Sequence, residues 1–106
     1  MSVTAADDRL VERLRAAVIA RRTRLLDRGV REVSLVGSQA RGTAGPLSDI
    51  DLLVDLAPDA GFGLLDLVDL KNDLREALGR DVDVVFKSRL RPYIAERMTR
   101  DKVRLL

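Results

Sequence analysis

The amino-acid sequence predicts an α/β (α+β) fold in which helices pack on one small mixed β-sheet. Two observations carry this prediction. Apolar residues recur at helical spacing in separate segments, and three short aliphatic runs bounded by turn residues lie between those segments. The resulting order of helix, strand, strand, helix, strand and helix is typical of a mixed sheet covered by helices. With 106 residues, the chain can form one modest core, and we expect a single domain over residues 1–106.

The first predicted helix begins near Thr4, which can act as its N-cap, and ends after Arg28, where Gly29 can stop it. Its apolar side chains recur every three or four residues and would form one buried stripe, made of Leu10, Leu14, Ala17, Val18 and Leu25. Its other face carries arginines that we interpret as solvated rather than as a nucleic-acid surface, namely Arg13, Arg21, Arg24 and Arg28.

Three strands are predicted, over "EVSLVG" (32–37), "DIDLLVDL" (49–56) and "DVDVVF" (81–86). Side chains alternate between the two faces of a strand, so the second strand has an apolar face and a face rich in aspartate. The apolar face holds Ile50, Leu52, Val54 and Leu56, and the other holds Asp49, Asp51, Leu53 and Asp55. In the third strand, Asp83 points away from its apolar neighbours Val82, Val84 and Phe86.

Two further helices complete the predicted order. A leucine stripe predicts a helix from Leu64 to Leu78, with Gly79 as its C-cap. Pro92 suits the first turn of a last helix that runs to about Met98. The final residues, 103–106, are too few to assign.

The composition excludes several kinds of chemistry. The chain has no cysteine and no histidine, so a thiol nucleophile, an imidazole base, a Ser-His-Asp triad and a thiolate or imidazole zinc site are impossible. A general base must be a carboxylate, lysine or tyrosine, and a bound metal must be a hard cation held by oxygen. Without a signal pattern, a run of membrane length or a disulfide framework, we expect a cytoplasmic protein that does not contact a membrane.

Charge is distributed unevenly along the chain. Residues 1–47 carry a net charge of +4, residues 48–83 carry −7, and residues 84–106 carry +5. An acidic middle between basic ends fits a cation site flanked by anion-binding surfaces, although solvated helix faces would give the same pattern. The overall charge of +2 and the 3% of aromatic residues argue against a dedicated nucleic-acid binder.

The aspartates of the second and third strands are candidate metal ligands. Asp49 and Asp51 share one strand face, where two ionised carboxylates repel each other unless a cation lies between them. If the third strand pairs with the second, Asp83 joins them. Three carboxylates on one face of a sheet would make a site for Mg²⁺, with room for two ions.

A glycine-serine turn follows the first strand. Gly37 lets the backbone approach a ligand closely, Ser38 adds a hydroxyl donor, and Arg41 lies beside them. Exposed backbone N–H groups at such a turn favour an anion. The sequence contains neither a Walker A motif nor GxGxxG, so a phosphate site here would be neither a P-loop nor a Rossmann site.

The combined pattern is Gly37-Ser38, ten residues, Asp49-x-Asp51 and a distant Asp83. It resembles the nucleotidyltransferase superfamily that includes DNA polymerase β. The short chain is similar to the minimal nucleotidyltransferases, the MntA-like antitoxins that are partners of HEPN-domain toxins. "GSQARGTAGPLSDIDLLVDL", "GRDVDVVF" and the ending "RPYIAERMTRDKVRLL" carry the resemblance, which runs from about residue 10 to the C-terminus.

The resemblance implies a polymerase-β-like nucleotidyltransferase fold and a role for each motif residue. Asp49 and Asp51 would bind two Mg²⁺ ions. Asp83 would bind the catalytic ion and could accept a proton from the attacking hydroxyl. Gly37 and Ser38 would hold the β- and γ-phosphates of ATP. Arg41 could touch the same phosphates.

The resemblance also implies a function and a partner. The chain would be an antitoxin that transfers AMP from ATP to a HEPN ribonuclease toxin, which is protein adenylylation (AMPylation). Two alternatives stay open: a non-catalytic antitoxin that neutralises the toxin by binding, and a nucleotidyltransferase that acts on a small molecule or RNA presented by another subunit. Candidate docking surfaces for the partner are the segment around Arg91, Tyr93 and Arg97 and the loop at Phe62.

Overall fold

The computed structural model describes residues 7–43 and 49–106 and forms a four-stranded mixed sheet with helices packed on it. The strands are β1 (Val30–Val36), β2 (Ile50–Leu56), β3 (Val82–Phe86) and β4 (Val103–Arg104), and they lie in the order β3-β2-β1-β4. The helices are α1 (Asp8–Ile19), α2 (Arg22–Asp27), α3 (Gly37–Arg41), α4 (Leu64–Leu78) and α5 (Pro92–Arg100). The predicted mixed sheet with helices on it is confirmed.

The sheet is mixed because β2 pairs antiparallel with β1 and parallel with β3. The predicted apolar face of β2 is confirmed, since Ile50, Leu52 and Val54 are fully buried in the core. β4 adds a short antiparallel edge beside β1, pairing with Ser34 and Leu35. β4 has only two residues, which is too short for an alternating pattern in the sequence, so this edge strand depends on its pairing with β1.

The prediction of one continuous N-terminal helix is wrong, because the chain folds into α1 and α2 with a break between them. Arg21 leaves helical geometry at φ −110° and ψ 13°. Its guanidinium donates to the carbonyl oxygen of Ala17 at 2.8 Å and to Asp73 of α4 at 2.5 Å. The cap predicted at Thr4 lies outside the described residues, and Asp7 caps α1 by accepting a hydrogen bond from the N–H of Arg9.

Arg24 and Arg28 are exposed, as predicted for a solvated face, and Arg21 is partly exposed, but the sequence did not predict that they also have partners. They form ion pairs with a row of aspartates on α4, namely Arg21–Asp73, Arg24–Asp69 and Arg28–Asp66. The aspartates recur at helical spacing, so they share one face of α4. The boundaries of α4 itself, with Gly79 as its left-handed C-cap, match the prediction.

The predicted docking loop at Phe62 is also wrong. The Phe62 side chain is buried and packs edge-to-face against Phe86, with ring centroids 6.1 Å apart. An aromatic ring held in the core is an anchor for the loop before α4 and is closed to a partner. Among the helices of the described ranges, none is long and apolar enough to cross a membrane.

Candidate active site

The register of the sheet brings two of the three predicted carboxylates together. In the parallel pairing of β2 and β3, Asp51 lies directly opposite Asp83. On its other side, Asp51 lies opposite Val36, the last residue of β1. Asp51 is therefore flanked by the third carboxylate on β3 and by the glycine-serine turn that follows β1.

Gly37 lies at the point where β1 ends and α3 begins, in the left-handed conformation with φ +75°. A Cβ atom added to this glycine would be 2.9 Å from the Oδ2 atom of Asp51. A Cβ atom at this distance would make the Asp51 carboxylate shift, and side chains other than glycine disfavour this φ. The φ of the turn thus favours glycine, and the absence of a Cβ atom lets the Asp51 carboxylate lie close to the backbone.

Asp51 is half-buried, and its pKa is raised by three causes. Burial is the largest, and the negative charges of Asp83 and Asp49 add to it. Each cause disfavours the ionised carboxylate. A cation bound between these carboxylates would offset all three.

Asp49 is placed less tightly than the sequence predicts. It is exposed and precedes β2, next to residues 44–48, which the structure does not describe. In the parts of the chain that are described, no three acidic side chains converge into a ready-made ligand set. The structure thus places Asp51 opposite Asp83, while Asp49 lies just before β2, where its charge still acts on Asp51.

The donor chemistry nevertheless fits Mg²⁺. Carboxylate oxygens are the ligands that this ion prefers, and it usually keeps several waters and substrate oxygens beside one or two carboxylates. The pair Asp51 and Asp83 satisfies that requirement, and Asp49 would add a third oxygen donor.

Ser38 and Arg41 belong to α3, the single turn and a half of helix that follows Gly37. Ser38 is half-buried, and its carbonyl oxygen accepts a hydrogen bond from the N–H of Thr43 at 3.0 Å. Arg41 is exposed at the end of α3. The predicted phosphate-binding residues are thus adjacent to the carboxylates at the same end of the sheet.

Two cavities flank the row of carboxylates. One, of about 450 Å³, is lined by Gly37, Arg41 and part of α5. The other, of about 380 Å³, is lined by Asp83 and by α4 side chains that include Lys71 and Arg75. Sequence reasoning missed the position of α5 beside Gly37, and the only local signal for it was the basic charge of the C-terminal segment.

Comparison with known proteins agrees with this arrangement. A family model for the nucleotidyltransferase domain matches residues 18–105. A protein of Methanocaldococcus jannaschii, MJ0435, named as a candidate protein adenylyltransferase, is 42% identical over 82 residues, which cover 77% of this chain and 86% of the relative. The protein adenylyltransferase MntA of Thermococcus cleftensis is 37% identical over 94 residues, which cover 88% of this chain and 93% of the relative.

Solved structures show the same fold. One described as a candidate minimal nucleotidyltransferase superposes with a TM-score of 0.69 at 36% sequence identity, covering 88% of this chain and 93% of that one. A crystal structure of a toxin–antitoxin complex with AMP-PNP superposes with a TM-score of 0.66 at 24% identity, covering 87% of this chain and 72% of that one. The second likeness shows the fold alone.

Proposed function

The chain belongs to the nucleotidyltransferase domain family, and from that membership we propose that it is an antitoxin that adenylylates a partner toxin. It transfers AMP from ATP to a hydroxyl group of a HEPN-domain ribonuclease. Relatives similar to most of this chain carry the name protein adenylyltransferase, which supports a protein as the acceptor. A structure with this fold that was solved as a toxin–antitoxin complex with AMP-PNP supports a toxin partner and an adenine nucleotide.

The acceptor oxygen forms a bond to the α-phosphorus of ATP, and the bond from that phosphorus to the bridging oxygen of the β-phosphate breaks, so that pyrophosphate leaves. Asp83 accepts the proton of the attacking hydroxyl. No covalent intermediate on the chain is needed, which is consistent with the absence of cysteine and histidine. The charged groups of this site therefore act by position and electrostatics.

Asp49, Asp51 and Asp83 would hold Mg²⁺, and two ions fit the proposal. When bound, the metal neutralises charge at the α-phosphate and on the leaving pyrophosphate. Asp51 has Val36, the residue before Gly37, on one side in the sheet and Asp83 on the other, so it lies between the glycine-serine turn and the other carboxylate. Gly37 and Ser38 bind the β- and γ-phosphates next to it.

One observation carries the proposal: Asp51 is paired with Asp83 on one side and lies against Gly37 on the other. A solvated strand-end aspartate needs neither neighbour. The juxtaposition instead supports a reaction centre, because a metal-binding carboxylate, a proton acceptor and a phosphate-binding turn must be adjacent for nucleotidyl transfer. The proposal locates the protein in the cytoplasm, where ATP and the RNA substrate of a ribonuclease are found.

The test is intact-mass analysis of the cognate partner after incubation with this protein, ATP and Mg²⁺. We expect the partner to gain the mass of one or more AMP groups. The Asp49→Ala/Asp51→Ala variant should leave its mass unchanged, whereas Asp59→Asn, a change in an exposed loop, should transfer normally. A partner that is bound and silenced without any gain in mass would contradict catalysis and favour the antitoxin that acts by binding alone.

A further inference from the structure

We propose that helix α5 supplies part of the nucleotide site, with Arg97 and Arg100 binding the triphosphate together with Arg41. This inference rests on the proposed function, since it concerns the nucleotide of that same reaction. It assigns a role to two arginines that lie 46 or more residues after the paired aspartates in sequence and to which the sequence analysis gave no role in nucleotide binding.

The three arginines line a single cavity. Its wall runs from Gly37 and Arg41 across to Arg97 and Arg100 of α5, and its volume is about 450 Å³. One carboxylate, that of Asp101 at the end of α5, also lines it. Three guanidinium groups against one carboxylate leave the cavity positively charged, and an anion with several charges is the ligand that suits it.

These guanidinium groups are not used by the fold. In residues 7–43 and 49–106, none of Arg41, Arg97 and Arg100 forms an ion pair with an acidic side chain. Some arginines elsewhere in the described chain are engaged, as in the pairs between α2 and α4 and in the bonds from Arg13 and Arg15 to backbone carbonyls, whereas exposed ones such as Arg9 and Arg22 form no ion pair among the described residues. What sets Arg41, Arg97 and Arg100 apart is that all three line one cavity. Three guanidinium groups that line one cavity and form no ion pair within the described residues favour an anionic ligand from outside the chain.

Helix α5 contributes little to the hydrophobic core, so its side chains are available to bind a ligand. None of its residues is buried, and its apolar side chains Ile94 and Met98 are only half-buried where they line the cavity. Arg97 and Arg100 are three residues apart, so they lie on neighbouring positions of one helix face. Because α5 contributes no buried residue to the core but lines the cavity with two arginines, its surface is a candidate for ligand binding.

The position of the cavity fits the geometry of the proposed reaction. Strand order places Gly37, Asp51 and Asp83 in a row across β1, β2 and β3. In-line displacement requires the leaving pyrophosphate and the attacking hydroxyl on opposite sides of the α-phosphorus. The arginine cavity lies at the Gly37 end of the row and suits the leaving group. The cavity beside Asp83 lies at the other end, where the acceptor must enter.

The test measures binding rather than turnover, with isothermal calorimetry of ATP and of inorganic tripolyphosphate in the presence of Mg²⁺. We expect the Arg97→Gln/Arg100→Gln variant to bind both ligands about tenfold or more weakly than the wild type. The control is Arg9→Gln/Arg22→Gln, which removes the same charge from exposed positions on α1 and α2 that do not line the cavity. It should bind both ligands as the wild type does.

A second variant separates charge from geometry. Arg97→Lys/Arg100→Lys keeps the charge but loses the bidentate fork, so its affinity should lie between those of the wild type and the glutamine variant. Thermal unfolding without ligand should be the same for all four proteins, because α5 buries no residue.

Three outcomes would overturn the inference. The glutamine variant could bind tripolyphosphate as tightly as the wild type, or lose no more affinity than the control. It could also lose partner binding while it keeps nucleotide affinity, in which case α5 docks the toxin instead. Each of these leaves AMP transfer by the wild type intact, whereas failure of the proposed function would appear as a wild type that transfers no AMP.

Discussion

Arginines in two regions of this molecule differ in whether they form ion pairs with acidic side chains. Between α2 and α4, Arg21 and Arg24 meet aspartates at 2.5 and 3.2 Å, so their charges are neutralised within the fold. Around Gly37, Arg41, Arg97 and Arg100 face a cavity without an acidic partner among the described residues. The number of charges along the sequence does not distinguish these two sets of arginines, whereas their ion pairs and their position at a cavity do.

The carboxylates divide in the same way. Asp73 is hydrogen-bonded by Arg21, which lowers the pKa of its carboxyl group. Burial and the neighbouring charges of Asp83 and Asp49 instead raise the pKa of Asp51. The fold favours the ionised form of Asp73 and disfavours the ionised form of Asp51.

The largest expected effect is on the unneutralised carboxylate. Asp51→Asn keeps the size of the side chain but removes the charge that we propose binds Mg²⁺, so AMP transfer should fall by at least about a thousandfold. The fold should stay intact or become slightly more stable, since a repelling charge is removed. Transfer rates and thermal unfolding would check this. Asp73→Asn is the matched change at the aspartate that pairs with Arg21, and equal AMP transfer by the two variants would contradict a special role for Asp51.

Gly37 should be the next most sensitive position. Gly37→Ala places a methyl group 2.9 Å from Oδ2 of Asp51, so we expect AMP transfer to fall by about ten- to a hundredfold as the carboxylate shifts. Gly79→Ala is a close control, because Gly79 has a similar φ of +67° with nothing within 4 Å of the added Cβ. Both variants should lose about 1 kcal/mol of stability from the unfavourable φ. Equal transfer rates would show that contact with Asp51 is unimportant.

The paired arginines should affect stability instead of binding. Arg21→Gln removes the hydrogen bonds to Asp73 and to the carbonyl oxygen of Ala17. Because both side chains of the pair are partly exposed, the free energy of unfolding should fall by only about 1 kcal/mol. Calorimetric affinity for ATP should not change. A variant with weakened ATP binding would mean that α2 belongs to the nucleotide site.

The smallest effect is on the pH dependence of stability. Because the folded pKa of Asp73 is lowered, chiefly by the hydrogen bond from Arg21, its contribution is complete above the ordinary pKa of about 4. That contribution is lost as the pH falls through the folded pKa. Between about pH 5 and 2, the free energy of unfolding should therefore fall less steeply for Asp73→Asn than for the wild type. Identical slopes in denaturant unfolding would contradict the assigned pKa shift.

Features that depend on local sequence could be predicted. The leucine stripe and Gly79 define α4 to the residue, and alternation along β2 separates its buried face from Asp51. The spacing from Gly37 to the aspartates indicates the site through its resemblance to a known family. That Asp49, Asp51, Asp83, Gly37, Ser38 and Arg41 bind metal and phosphates stays a prediction.

Features that depend on distant contacts could not be predicted. The break before α2 is held by a bond from Arg21 to Asp73, 52 residues away. The strand β4 exists only through its pairing with β1. The packing of α5 beside Gly37 leaves no periodic pattern, so the sequence predicted Arg97 only as docking surface and did not place it in one cavity with Gly37.

The most direct test of catalytic neutralisation titrates this protein against the ribonuclease activity of its cognate partner, with ATP and Mg²⁺ present. We expect a substoichiometric amount to silence many partner molecules, which should stay silent after this protein is removed. Asp49→Ala/Asp51→Ala should inhibit at most one partner each and release it active on dissociation. Inhibition that is strictly stoichiometric, reversible and equal for the wild type and this variant would contradict the catalytic role of the carboxylates.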